Sequence, residues 1–109
     1  MIKYTIEQKV ALVRKFELYR LDLGLSGAKA AKLVHAIGAT LKSWDKLDAL
    51  PGARYCYQME KIMLNFTPTN RIDILSADSI AKDVEVAKRK LLERNEEYRQ
   101  HEAKKNLTQ

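Results

Sequence analysis

The side chains best suited to chemistry are four lysines, Lys29, Lys32, Lys42 and Lys46, interleaved with Ala39, Thr40 and Ser43. Ammonium groups at this spacing neutralise a polyanion, and hydroxyls and small methyls can meet the edges of nucleic-acid bases. Groups that make or break bonds do not converge anywhere. The two histidines, His35 and His101, are far apart in the chain. No His-x-x-x-His pair, phosphate-cradling glycine loop or nucleophile elbow is present. Asp22, Asp45, Asp48 and Asp73 match no metal-binding carboxylate spacing and read as solvated surface groups. Cys56 is the lone cysteine, which rules out an intrachain disulfide and a cysteine-rich zinc site. Lying between Tyr55 and Tyr57, it reads as a small core hydrophobe. The expectation is a binding protein, not an enzyme, with no catalytic residue, no metal and no cofactor.

Charge points the same way. The formal net charge is +6, and residues 1–66 carry eleven Lys/Arg against six Asp/Glu, whereas residues 71–109 are nearly balanced. A basic region beside a balanced one suits a polyanion binder with a separate structural element. The start, Met1-Ile2-Lys3-Tyr4-Thr5, leads into a charged amphipathic segment without the apolar core of a signal peptide. No apolar run nears the roughly 20 residues that span a bilayer. A cytoplasmic protein with no membrane partner and no small-molecule ligand is therefore expected.

These residues need elements to position them. Thr5-Ile6-Glu7-Gln8 has the form of a capping box, and Ile6, Val10, Leu12, Val13 and Phe16 follow at helical spacing, predicting a first helix from about Thr5 to Leu21. Gly24 and Ser26 end it and cap the next. Residues 27–34 read as a short alanine-rich helix, His35 to Ile37 as a turn, and Gly38 to Leu47 as a second short helix. Pro51-Gly52 punctuates the chain before a fourth helix from about Ala53 to Asn65. Thr67-Pro68-Thr69-Asn70 is the clearest linker, and residues 71–75 carry no decisive pattern. A long helix is predicted over about 77–103, where Ile80, Val84, Ala87, Leu91 and Tyr98 keep heptad spacing and Arg94 interrupts the seam. Two readings of that seam stand: pairing with a second copy, or packing on the chain's own domain. The whole is an all-α chain. Residues 1–66 form a domain of about four helices, 67–76 a linker, and 77–109 a C-terminal helix with a frayed tail.

Two short helices crossing steeply need a small residue where their axes approach, and Ala31 supplies it. Their shared core needs apolar residues before, within and after the turn; Ala30, Val34, Ala36, Leu41 and Trp44 fit, with Leu41 and Trp44 three apart on one face. The opposite face, with Ala39, Lys42, Ser43 and Lys46, is left free to enter a major groove.

Gly24-Leu25-Ser26, Ala31, Leu41, Trp44-Asp45 and Pro51 match, without a gap, the spaced pattern of the Cro and phage-repressor helix-turn-helix, which this segment resembles. Tyr4-Thr5…Lys9 followed by Gly24-Leu25-Ser26…Leu41-Lys42-Ser43-Trp44 is also similar to the DNA-binding domain that opens many insertion-sequence transposases. Both resemblances imply that the second motif helix docks in the major groove of double-stranded DNA. They cover residues 4–52, and nothing after Phe66 contributes. Two positions depart from the pattern. His35 stands where a left-handed glycine is usual, and Ile37 stands where a polar residue caps the helix, with Gly38 weakening its start. Those departures predict either a distorted turn or a late start for the second helix.

The resemblance divides roles by chemistry. Ala39, Lys42 and Ser43 face base edges: Lys42 donates to guanine, Ala39 meets a thymine methyl, and Ser43 is permissive. Lys29, Lys32, Thr40 and Lys46 contact phosphates, with Arg14, Lys15, Arg20 and Arg54 as further phosphate candidates. No Arg, Asn or Gln lies between Ile37 and Lys46, so one copy reads sequence weakly. A homodimer on a two-fold site is expected, joined through the C-terminal helix (Ile80, Val84, Ala87, Leu91, Tyr98) or the Tyr55–Phe66 helix. The leading expectation is a sequence-specific transcriptional regulator, a repressor or autoregulator of a bacterium, phage or plasmid. The alternatives are an accessory DNA-binding factor in recombination, replication or packaging, and a helical protein-interaction module.

Overall fold

The computed structural model describes the backbone of residues 3–107 and side-chain exposure for residues 3–96. It is all-helical: α1 (Ile6–Leu23), α2 (Gly27–Leu33), α3 (Gly38–Asp45), α4 (Ala53–Ile62), a 3-10 turn (Ile72–Leu75) and α5 (Ala77–Leu107). No strand occurs among the described residues, and no described helix is long and apolar enough to cross a membrane.

Helix α1 starts on the capping box read from sequence. Thr5 Oγ1 accepts from the Gln8 N–H at 3.1 Å, and Gln8 Oε1 accepts from the Thr5 N–H at 2.9 Å. It ends at Gly24, whose φ of 63° is left-handed, so the chain can turn back and let the Leu25 N–H reach Arg20 O at 3.0 Å. Ser26 then caps α2, its hydroxyl accepting from the Lys29 N–H.

The same reversal closes α2 without a glycine. His35 adopts φ 62°, and the Ala36 N–H bonds back to Ala31 O at 2.9 Å. The turn is therefore of the left-handed kind that glycine normally fills, and α3 starts at Gly38, with no late start. A third reversal ends α3 earlier than the periodicity predicts. Leu47 takes φ 62°, and the Asp48 N–H bonds to Ser43 O at 2.9 Å, so the helix stops at Asp45. Leu47 is nonetheless buried, and its packing offsets a left-handed conformation that costs an L-residue roughly 1–2 kcal/mol.

Two apolar clusters hold these elements. In the first, Val13 and Phe16 of α1 meet Ala30 and Ala31 of α2, Val34, Leu41 and Trp44 of α3, and Met59 and Met63 of the α4 region. Trp44 lies edge-on to Tyr55, with ring centroids 5.0 Å apart. The second joins Val10 of α1, Leu47, and Ile80 and Ala87 of α5, with Val84 packed alongside. Between the two readings of the heptad seam, Ile80, Val84 and Ala87 thus take the intrachain one: the first half of α5 lies along α1. Leu91 is exposed, and the side chain of Tyr98 lies outside the described residues.

Candidate nucleic-acid interface

Burial sorts the residues of α3 by face. Leu41 and Trp44 are buried against α1 and α4, as are Ala31 and Val34 from the preceding segment, and Ala36 is half-buried. Ala39, Lys42 and Lys46 are exposed, and Thr40 and Ser43 are half-exposed. Because residues three and four apart share a helix face, Ala39, Lys42, Ser43 and Lys46 form one outward stripe. Lys29 and Lys32, three apart on α2, are exposed as well. Among the described residues, none of these four ammonium groups is in an ion pair.

An open depression of about 490 Å³ runs between the start of α2 and the outward stripe of α3, with Gly27, Ala28, Ala39 and Lys42 on its walls. Arg20 and Asp45 also line it. The Arg20 guanidinium donates to both Asp45 oxygens, at 3.0 and 3.1 Å. That fork cancels the one carboxylate that α3 carries, leaving Lys42 as the charge on its stripe next to the depression.

Arg14, another phosphate candidate, is engaged inside the fold. Its Nε donates to Asp83 of α5 at 2.8 Å, and its Nη1 donates to Asp45 O, at the end of α3, at 3.0 Å. Burial opposes its charge, but the Asp83 hydrogen bond and the nearby carboxylates of Asp83, Glu17 and Asp45 outweigh that and raise its pKa. Neither Arg14 nor Arg20 is therefore free in the way that the lysines are. Lys15 is half-buried and Arg54 exposed, and neither has an ion-pair partner among the described residues.

The structure adds residues to the site that sequence reasoning missed. Lys90 Nζ of α5 donates to Lys46 O at 2.6 Å and to Asp48 Oδ1 at 2.8 Å, and Arg94 donates to Asp48 O. With Arg14, Lys90 thus brings a cation to the carbonyls at the C-terminal end of α3, where the helix dipole favours positive charge, and Arg94 ties the loop that follows. The Lys90 hydrogen bond, resisted by burial and reinforced by the charges of Lys90, Lys46 and Arg94, holds the Asp48 carboxyl below its ordinary value of 3.8. The Lys90/Arg94 spacing of four is visible in the sequence, but nothing there tells which loop, more than forty residues away, these side chains reach.

The opposite end of α3 has no such ties. Ile37 is its N-cap residue and makes no side-chain capping bond, and its side chain is 68% exposed. Open space lies where Gly38 would carry a Cβ.

Among the described residues, no group of three or more His, Cys, Asp or Glu side chains is placed to hold a metal ion. Cys56 is buried, its Sγ 3.6 Å from Pro51 O, and burial pushes the thiol up to about 11. No protein-family model, curated protein or solved structure matches this chain.

Proposed function

We propose that this chain is a sequence-specific, double-stranded-DNA-binding transcriptional regulator that presents the outward stripe of α3 to the major groove. The observation that carries this reading is the contrast between the two faces of α3. One is fully committed to the core through Leu41 and Trp44; the other exposes Ala39, Lys42 and Lys46 beside a depression whose only carboxylate is paired. In this reading Lys42, Ala39 and Ser43 address base edges, while Lys29, Lys32, Thr40 and Lys46 hold phosphates. The gapless match of residues 24–51 to the helix-turn-helix pattern supports the same docking, as does the left-handed His35 in the turn.

With no Arg, Asn or Gln between Ile37 and Lys46, one copy has few long readers. The reading therefore includes two copies on a two-fold site. Ile80 and Ala87 are used within the chain, so the contact between copies falls to exposed groups such as Leu91 and Leu92. The test is selection from a random duplex pool, followed by titrations at two salt concentrations and sedimentation of the complex. A two-fold consensus and a steep fall of affinity with salt are expected. Binding to no duplex would overturn the reading, and a monomer on DNA would remove the dimer from it.

A further inference from the structure

Ile37 occupies a position where a polar side chain would serve the fold better. A Ser, Thr, Asn or Asp at an N-cap satisfies a free backbone N–H, and losing it weakens the start of the helix. Ile37 makes no such bond and gains no burial in return: it is 68% exposed, the most exposed large apolar side chain of residues 24–51. The fold gives it no reason to be apolar. Two lysines flank it along the chain, Lys32 at the end of α2 and Lys42 on α3, both exposed and outside any ion pair among the described residues. Next to it, Gly38 leaves open space and Ala39 exposes a methyl. The leading end of α3 is thus a small apolar step between two exposed lysines along the chain. In a duplex, the apolar group displayed on a major-groove edge is the 5-methyl of thymine. The N-terminal residues of a groove-docked helix are the ones that reach base edges.

We infer that Ile37, with Ala39 beside it, selects thymine through its 5-methyl group and makes the target A·T-rich at the positions under the N-terminal end of α3. This rests on the reading of α3 as the DNA-reading helix. Bases are then sorted by apolar contact at the leading end of α3 and by the Lys42 ammonium one turn later.

The experiment takes the duplex enriched from a random pool and resynthesises it with deoxyuridine in place of thymidine, which removes only the methyl groups. The full chain and its Ile37→Ser variant are titrated against both duplexes, and the thermal midpoint of each protein is recorded. For the natural chain, affinity falls about fourfold for each contacted methyl removed. Ile37→Ser keeps or raises the thermal midpoint because it gains a cap. It binds the thymidine duplex about fourfold more weakly than the natural chain does, and it loses correspondingly less affinity on the deoxyuridine duplex, keeping only the sensitivity that Ala39 contributes. Opposite signs on folding and on binding are what a merely structural isoleucine would not give. Equal binding of both duplexes by the natural chain overturns the inference, as does undiminished deoxyuridine sensitivity in Ile37→Ser. Ile37→Ala gives the same comparison if Ile37→Ser is poorly folded. A natural chain that enriches no duplex overturns the underlying reading of α3 and this inference with it.

Discussion

At its C-terminal end α3, with the loop that follows it, is tied by three cations from two other helices; at its N-terminal end it has no capping side chain and an isoleucine in solvent. Both ends belong to one eight-residue helix. The difference lies in what each is asked to do. Carbonyls at the C-terminal end meet Arg14 and Lys90, and Arg94 holds the loop that follows, which fixes the helix against α1 and α5. The N-terminal end keeps its surface free. A short helix that must present a face to a ligand needs its direction set from behind, because few of its own residues are spare for packing.

Removing the shared anchor would erase the comparison. Trp44 is buried in the main cluster and lies edge-on to Tyr55, so Trp44→Ala is expected to destabilise the fold by about 3–5 kcal/mol. Urea unfolding measures this; a loss below about 1 kcal/mol would mean that α3 is held by its tied C-terminal end alone. Arg14→Ala attacks the tied end. It leaves part-buried Asp83 and the Asp45 carbonyl without their donor, for an expected loss of about 1–3 kcal/mol. Amide exchange at the last turn of α3 should quicken while exchange near Gly38 stays as it was. Acid makes the smallest change. Asp48 has a lowered pKa in the folded chain, so the stability it contributes is present above its ordinary value of 3.8 and is lost as pH falls through the lowered one. Exchange of the 46–48 amides should be flat from pH 7 to 5, after correction for intrinsic rates, and should rise only below the ordinary carboxylate range. A rise centred near neutrality would place the control elsewhere.

Much of the fold was legible because local rules carry it. The Thr5…Gln8 box, Ser26, Gly24 and the apolar spacing placed five helices, four of them to within about three residues of their ends. The end of α3 was not legible, because Leu47 gives no local sign of a left-handed reversal; only burial against Val10, Ile80 and Ala87 supports it. The heptad seam of α5 was visible but not its partner, since Ile80 and Ala87 would look the same against α1 or against a second copy. At the candidate site, helical periodicity alone separated Leu41 and Trp44 from Ala39 and Lys42. It could not show that Arg14 and Arg20 turn inward, because their partners Asp83 and Asp45 are brought to them by tertiary packing. Ile37 and His35 stood out as departures from a pattern, and the structure gives them different characters. His35 fills a left-handed position in the turn, whereas Ile37 is an exposed apolar side chain with no role in the fold.

The central claim is that the outward stripe of α3 reads duplex DNA, and Lys42→Ala tests it most directly. Lys42 is exposed and without an ion-pair partner among the described residues, so its loss should leave the urea midpoint nearly unchanged. On the duplex enriched by the natural chain, the variant should bind about ten times more weakly or worse, and selection with it should lose preference at one base pair of each half-site. Equal affinity and an unchanged consensus would contradict the claim and take α3 out of the groove.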